Sequence, residues 1–209
     1  MTLNFLDIFI RLLGGALAYG VMAVVMFGVW QGTRRKAGRT TGRTGHLLRT
    51  WWFYLVSTLL FFYVGYRGWV PLYWNFPPQT RIWFLIFGSL FYFPGMAFVL
   101  WGRIALGENY FVSTGFGVQL FANHRLVMKG PFAIVRHPMY LGIILASLGA
   151  LLIYSTWTTL YFVFFAPLMM IRAYREEQTL AAEFGEQWQE YRRQVPAFIP
   201  RLRKQRQNG

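Results

Sequence analysis

The chain has no cysteine, which excludes disulfides, thiolate nucleophiles and cysteine metal sites. With three histidines and seven acidic residues in 209, the usual donors for a metal centre are sparse, and no metal is expected. Charge is scarce as a whole, at 13% of residues where a soluble domain carries roughly a quarter. What fills the space is apolar: 56% of residues are hydrophobic and 20% aromatic. This composition is that of a membrane protein. The 21 Lys and Arg give a formal charge of +14. Because they lie between long apolar runs, they read as a topology signal, and no nucleic-acid partner is expected.

Charge-free windows run over 12–33, 50–66, 82–102 and 138–171. A crossing needs about 20 residues at 1.5 Å each, so the first three windows suit one helix apiece. The fourth has 34 residues and must fold back, with Tyr154-Ser155-Thr156-Trp157 as the turn of a helical hairpin, a re-entrant hairpin being the competing geometry. The expected fold is all-α and polytopic, with about five transmembrane helices and a C-terminal cytoplasmic amphipathic helix. Residues 1–101 hold helices one to three with a basic loop at 31–50. Residues 102–200 form a cofactor region containing the hairpin 138–171, and 201–209 are a basic tail. The first run continues well past Ala16-Leu17-Ala18, so it reads as an anchor and not as a cleaved leader.

Basic residues orient these helices. Arg34, Arg35, Lys36, Arg39, Arg43 and Arg49 place the first loop inside, as Arg103, Arg125, Lys129 and Arg136 do the third, while the second loop has only Arg67 and Arg81. The amino terminus is expected outside and the carboxyl terminus in the cytoplasm. The stretch from Gly32 to Gly45 has too little apolar content to order itself and reads as a mobile loop near anionic lipid.

Two cytoplasmic segments carry more than anchoring requires. In the first, His124-Arg125-Leu126-Val127 leads to Gly130-Pro131-Phe132 and then Arg136-His137-Pro138-Met139-Tyr140. Gly-Pro is turn chemistry, and Pro138 suits the first turn of a helix. The bent backbone there offers amides for an anionic or polar cofactor. In the second, Leu180, Phe184, Trp188, Tyr191 and Val195 recur at helical spacing up to Pro196 and Pro200, with a break expected near Gly185. Arg172 and Glu176 lie one turn apart and reach the same small volume. Each feature also has a plain structural use: Arg172 and Glu176 as a surface ion pair, His137 as a helix cap, His124 as a solvated loop residue, Tyr140 as an interfacial aromatic.

Taken in order, His124-x-Leu126-Val127-x-x-Gly130-Pro131-Phe132, Arg136-His137-Pro138-x-Tyr140, Glu176-Glu177 and Phe184-Gly185 to Pro196 and Pro200 resemble a family. It is that of the integral-membrane methyltransferases, which includes isoprenylcysteine carboxyl methyltransferases and phospholipid N-methyltransferases. The likeness covers about residues 100–200. It implies an S-adenosylmethionine site on the cytoplasmic side, contacted by His124, Arg125, Leu126, Val127, Phe132, His137, Pro138, Met139, Tyr140 and Glu176. Arg172 would face a lipophilic acceptor, with Arg172 and Glu176 carrying the chemistry. Phe132 stands where family members usually have tyrosine, and Arg175 where carboxyl methyltransferases tend to carry an acid. An amine or thiol acceptor would need a base, for which His137 and Glu177 are the nearby groups. The alternatives are an NADPH-dependent sterol-reductase-like enzyme and a non-enzymatic membrane scaffold. Transport is disfavoured because no charge lies inside an apolar run. The host membrane is expected to be a bacterial or archaeal inner membrane or the endoplasmic reticulum.

Overall fold

A computed structural model describes residues 2–34, 37–41, 51–74, 76–110, 113–114, 117–121 and 124–200. The order is α1 (Thr2–Thr33), β1 (Ala37–Thr41), α2 (Trp51–Arg67), α3 (Pro78–Leu106), a 3-10 turn (Gly107–Asn109), β2 (Ser113–Thr114) and β3 (Gly117–Phe121). A second 3-10 turn (Gly130–Ala133), α4 (Pro138–Tyr154), α5 (Trp157–Phe165) and α6 (Leu168–Gln194) follow. Among the described residues, the helices Leu3–Gly32 and Pro78–Asn109 are long and apolar enough to cross a membrane, and Pro138–Tyr154 is apolar but shorter.

Glycine governs how α3 meets α4. Gly88, Gly95 and Gly102 fall every seven residues on α3: Gly88 faces Gly149 of α4, Gly95 faces Gly142 and Ala146, and Gly102 faces Pro138 and Met139. A Cβ on Gly142 would stand 2.5 Å from the Gly95 carbonyl oxygen, and one on Gly95 would stand 2.6 Å from the Ala146 nitrogen. Only small residues let two helices approach this closely. Tyr92, Ala146, Ala150 and Ile153 form the buried core of this contact.

At the far end of the pair, Arg81 Nη1 donates to the Leu152 carbonyl at 2.9 Å and Nη2 to that of Ile153 at 2.6 Å, capping the last turn of α4. The same guanidinium pairs with Asp7 of α1 at 2.6 Å, and Tyr154 Oη donates to the Arg11 carbonyl at 2.8 Å. One cluster thus ties α1, α3 and α4 together.

The hairpin turn lies where expected. Ser155 is left-handed at φ 51°, and Thr156 and Thr159 cap α5 reciprocally. The returning limb is not one helix to Ile171, however. It stops at Phe165, and α6 starts at Leu168 after Pro167, since proline's missing N–H and its ring break the ladder. Gly185 is non-helical inside α6, at φ 51° and ψ −121°, which agrees with the expected break.

The all-α expectation needs a correction. Three short strands form an antiparallel sheet in the order β1-β3-β2, pairing Ala37 with Phe121 and Thr41 with Val118, and Ser113 with Val118. Residues 37–41, expected to be unordered, are held by backbone pairing with a strand some eighty positions later, which apolar content does not report. Arg35, Lys36, Arg43, Arg49 and residues 201–209 lie outside the described residues.

Candidate functional site

The site is built around α6, which the chain wraps from both sides. Ahead of α4, residues 124–137 run along it. His124 lies against Phe184, ring centroids 6.0 Å apart, and Leu126 packs on the cluster of Leu180, Trp188, Tyr191 and Val195. Phe132 is buried, and its carbonyl accepts from Tyr191 Oη at 2.7 Å. Burial pushes the His124 imidazole down to about 4, so it is neutral at pH 7.

After α6 the chain turns back on the same loop. The Arg136 amide donates to the Pro196 carbonyl at 2.8 Å and the His137 amide to that of Ala197 at 3.1 Å. Arg136 Nη1 donates to the Val195 carbonyl at 2.5 Å, and Phe198 stacks on His137 at 5.4 Å. Of the loop amides expected to be open to a cofactor, those of Arg136 and His137 are therefore taken by the tail.

Beneath that seam sit two adjacent carboxylates with different neighbours. Glu177 Oε1 accepts from Arg136 Nε at 3.0 Å and Nη2 at 2.8 Å, and lies 2.9 Å from His137 Nε2. Burial works to raise the Glu177 carboxyl, but hydrogen bonds from His137 and Arg136 and the nearby positive charge outweigh it and hold the group below its ordinary value. An ionised Glu177 can only accept, so in this contact the imidazole Nε2–H is the donor. Glu176, buried, accepts a short hydrogen bond from Tyr140 Oη, and its Oε2 is 4.0 Å from His137 Nδ1. His137 stacks on Tyr140 at 5.8 Å, so one imidazole spaces both acids.

Arg172 also stands over Tyr140, its guanidinium carbon 5.5 Å from the ring centroid. Arg172 and Glu176 thus meet at one tyrosine, as their spacing implies. The group extends to residues that sequence reasoning misses. Arg103, buried in the last turn of α3, lies over the Tyr110 ring at 4.6 Å. Burial pushes the Tyr110 hydroxyl up against the pull of Arg103 and Arg172, with Glu176 adding to the rise. These interactions place Tyr110 within electrostatic reach of all three. In the sequence Arg103 reads only as a topology charge; its one distinguishing sign is a position inside the helix, a turn before Gly107.

Not every expected residue turns inward. Arg125 is exposed, and its amide donates to Asn109 Oδ1 at 2.9 Å. Pro138 and Met139 pack on α3 at Gly102, where a Cβ would stand 2.6 Å from Met139 Cγ. Val127 is half-buried. His124, Leu126, Phe132, His137, Tyr140, Arg172 and Glu176 are the set that α6 gathers. Among the described residues no group of His, Asp and Glu is arranged to hold a metal ion.

Comparison with known proteins gives the family of the chain. Residues 83–187 match a family model described as phospholipid methyltransferase. Protein-S-isoprenylcysteine O-methyltransferase of Schizosaccharomyces pombe is 34% identical over 80 residues, 37% of this chain and 34% of that protein. Methanethiol S-methyltransferase 2 of Bradyrhizobium diazoefficiens is 37% identical over 77 residues, 34% and 27% of the two chains. A Delta(14)-sterol reductase of Mus musculus is 33% identical over 78 residues, 36% of this chain and 19% of that one. The matches span about a third or less of each relative's length. The long apolar helices and this kinship make the protein an integral membrane protein. With half of its length matched by the family model, the chain belongs to the phospholipid methyltransferase family.

Proposed function

We propose that the protein is a membrane methyltransferase that moves a methyl group from S-adenosylmethionine to a lipophilic acceptor bearing an anionic group, a prenylated cysteine carboxylate foremost. The observation that carries this reading is the convergence of Arg103, Tyr110, Tyr140, Arg172 and Glu176 where α3 ends and α4 and α6 begin. Kinship with an isoprenylcysteine O-methyltransferase and a methanethiol S-methyltransferase supports transfer to a heteroatom.

The donor set fits the cofactor. A buried carboxylate and a tyrosine ring side by side suit a permanent cation, which both attract. When bound, S-adenosylmethionine supplies an activated methyl on a sulfonium. Glu176 and Tyr140 would hold its charge, and the neutral His124, Leu126 and Phe132 its apolar and adenine parts. Arg172 and Arg103 would orient the acceptor carboxylate through charge-assisted hydrogen bonds, and a carboxylate needs no general base. His137, with a proton committed to Glu177, would act by fixing the two acids. Two guanidinium groups would repel a protonated amine, which places a phospholipid amine behind a carboxylate as acceptor. Alignment and exclusion of water then carry the rate. We further propose five crossings, with α2, α4 and the α5–α6 limb beside the two long helices, the amino terminus outside, and the site facing the cytoplasm.

Thermal unfolding of the purified protein tests this reading. S-adenosylhomocysteine at 100 times its Kd should stabilise by about 2.7 kcal/mol, while NADPH should have no effect. In Glu176→Gln, affinity for the charged S-adenosylmethionine should fall about tenfold more than for the uncharged S-adenosylhomocysteine. Stabilisation by NADPH alone would overturn the proposal in favour of a reductase.

A further inference from the structure

We infer that Gly28 of α1 is a positioning residue: its bare backbone forms the notch that seats the Arg103 guanidinium and aims it at the acceptor anion. This rests on the acceptor reading above and extends the site into a helix outside the segment that the family model matches. Gly28 is buried, and a Cβ placed there would fall on Nε, Cζ and Nη2 of Arg103, well inside contact distance. The obstructed atoms are the guanidinium fork at the far end of the side chain, so it is the fork that has to move. Arg103 has little room elsewhere, because it is buried, covers the Tyr110 ring at 4.6 Å and donates through Nη1 to the Gly107 carbonyl at 3.3 Å. A methyl group at position 28 must therefore push the fork away from α1, off its tyrosine or off its carbonyl. A planar donor bonds a carboxylate only within narrow angular limits, so a shift of this kind weakens anion recognition and leaves other contacts in place.

The test is a binding comparison on the full chain in nanodiscs, with N-acetyl-S-farnesylcysteine and its methyl ester as probes, which differ only in the anion. Wild type should bind the acid at least tenfold more tightly than the ester. In Gly28→Ala, and in Gly28→Ser as a second variant, that preference should fall to within twofold, with the Kd values of the ester and of S-adenosylhomocysteine unchanged. Gly20→Ala, on the same helix with nothing within 4 Å of an added methyl group, should keep the full preference. Arg103→Lys should lose it, and adding Gly28→Ala to Arg103→Lys should cost little more, because the obstructed fork is already gone. A Gly28→Ala protein that retains the acid preference overturns the notch. So does one that loses acid, ester and S-adenosylhomocysteine affinity in parallel, since that is general loosening of α1. A wild type without acid preference overturns the anionic-acceptor reading itself, a result distinct from either.

Discussion

At Glu177 a single oxygen receives two guanidinium N–H groups and an imidazole N–H, and through Arg136 it also holds the chain after α6. The depressed Glu177 carboxyl has a definite consequence for pH. A group whose pKa is lower in the folded state contributes stability that is fully present above its unfolded value, near 4.5. That contribution is lost as pH falls through the lower, folded value. Unfolding temperature should therefore be insensitive to this group from neutral pH down to about 4.5 and should drop below that. Glu177→Gln keeps the shape and removes the charge. It should cost about 1–2 kcal/mol at pH 7, roughly 2–8 °C in unfolding temperature for a chain of this size, and flatten the acid limb. Scanning fluorimetry between pH 3 and 7 measures both, and coincident acid limbs in the two proteins would refute the assignment. Arg172 and Glu176 are legible as a pair because helical spacing is a local rule. Glu177 can be named from sequence but its partners cannot, since Arg136 and His137 lie 41 and 40 positions away.

Helices α3 and α4 depend on one another through bare backbone. A methyl group on Gly149 would strike the Tyr92 amide nitrogen and the Gly88 carbonyl oxygen, neither of which can rotate away. Gly149→Ala should destabilise by about 1–3 kcal/mol through overpacking, outweighing the gain of up to about 1 kcal/mol that alanine brings to a helix interior. Because the first turn of α4 carries Tyr140, methyl transfer should weaken as well. Gly15→Ala meets only the Tyr154 hydroxyl oxygen at 3.8 Å and should be neutral or stabilising; equal unfolding temperatures for the two variants would contradict this account. Legibility divides along the same line at this scale. The hairpin turn, the break at Gly185 and the stop before Pro196 follow from rules acting over four or five residues, and all three can be read from the sequence. The interruption at Pro167 escapes, although the proline is plain, because an apolar run continues past it and reads as one helix. The sheet is beyond reach for a different reason. Ala37–Thr41 has no alternating pattern, and its order comes from a partner strand supplied by another connection.

Across the whole molecule, two polar layers bracket the apolar helices. Arg81 with Asp7 marks one, and Arg103 with Tyr110, Arg172 and Glu176 marks the other. Arg81 and Arg103 are 22 residues apart on α3, a rise of about 33 Å, close to the roughly 30 Å of hydrocarbon in a bilayer. That match suits the proposed crossing, in which the membrane lies between the two arginines and the connections at the ends of α3 are on opposite sides. The proposed topology puts the connection after α3 in the cytoplasm, where its positive charge is favoured, and the one before it outside. The absence of native cysteine lets single introduced thiols report each side without background. Tyr73, 89% exposed in the connection before α3, and Lys129, exposed in the connection after it, are suitable positions. In intact cells a membrane-impermeant maleimide should label Tyr73→Cys, and should label Lys129→Cys only after permeabilisation. Labelling of both thiols from one side would mean that α3 does not cross. Labelling with the sides exchanged would keep the crossing but turn the site away from the cytoplasm, where S-adenosylmethionine is made, and the proposed reaction would lose its methyl supply.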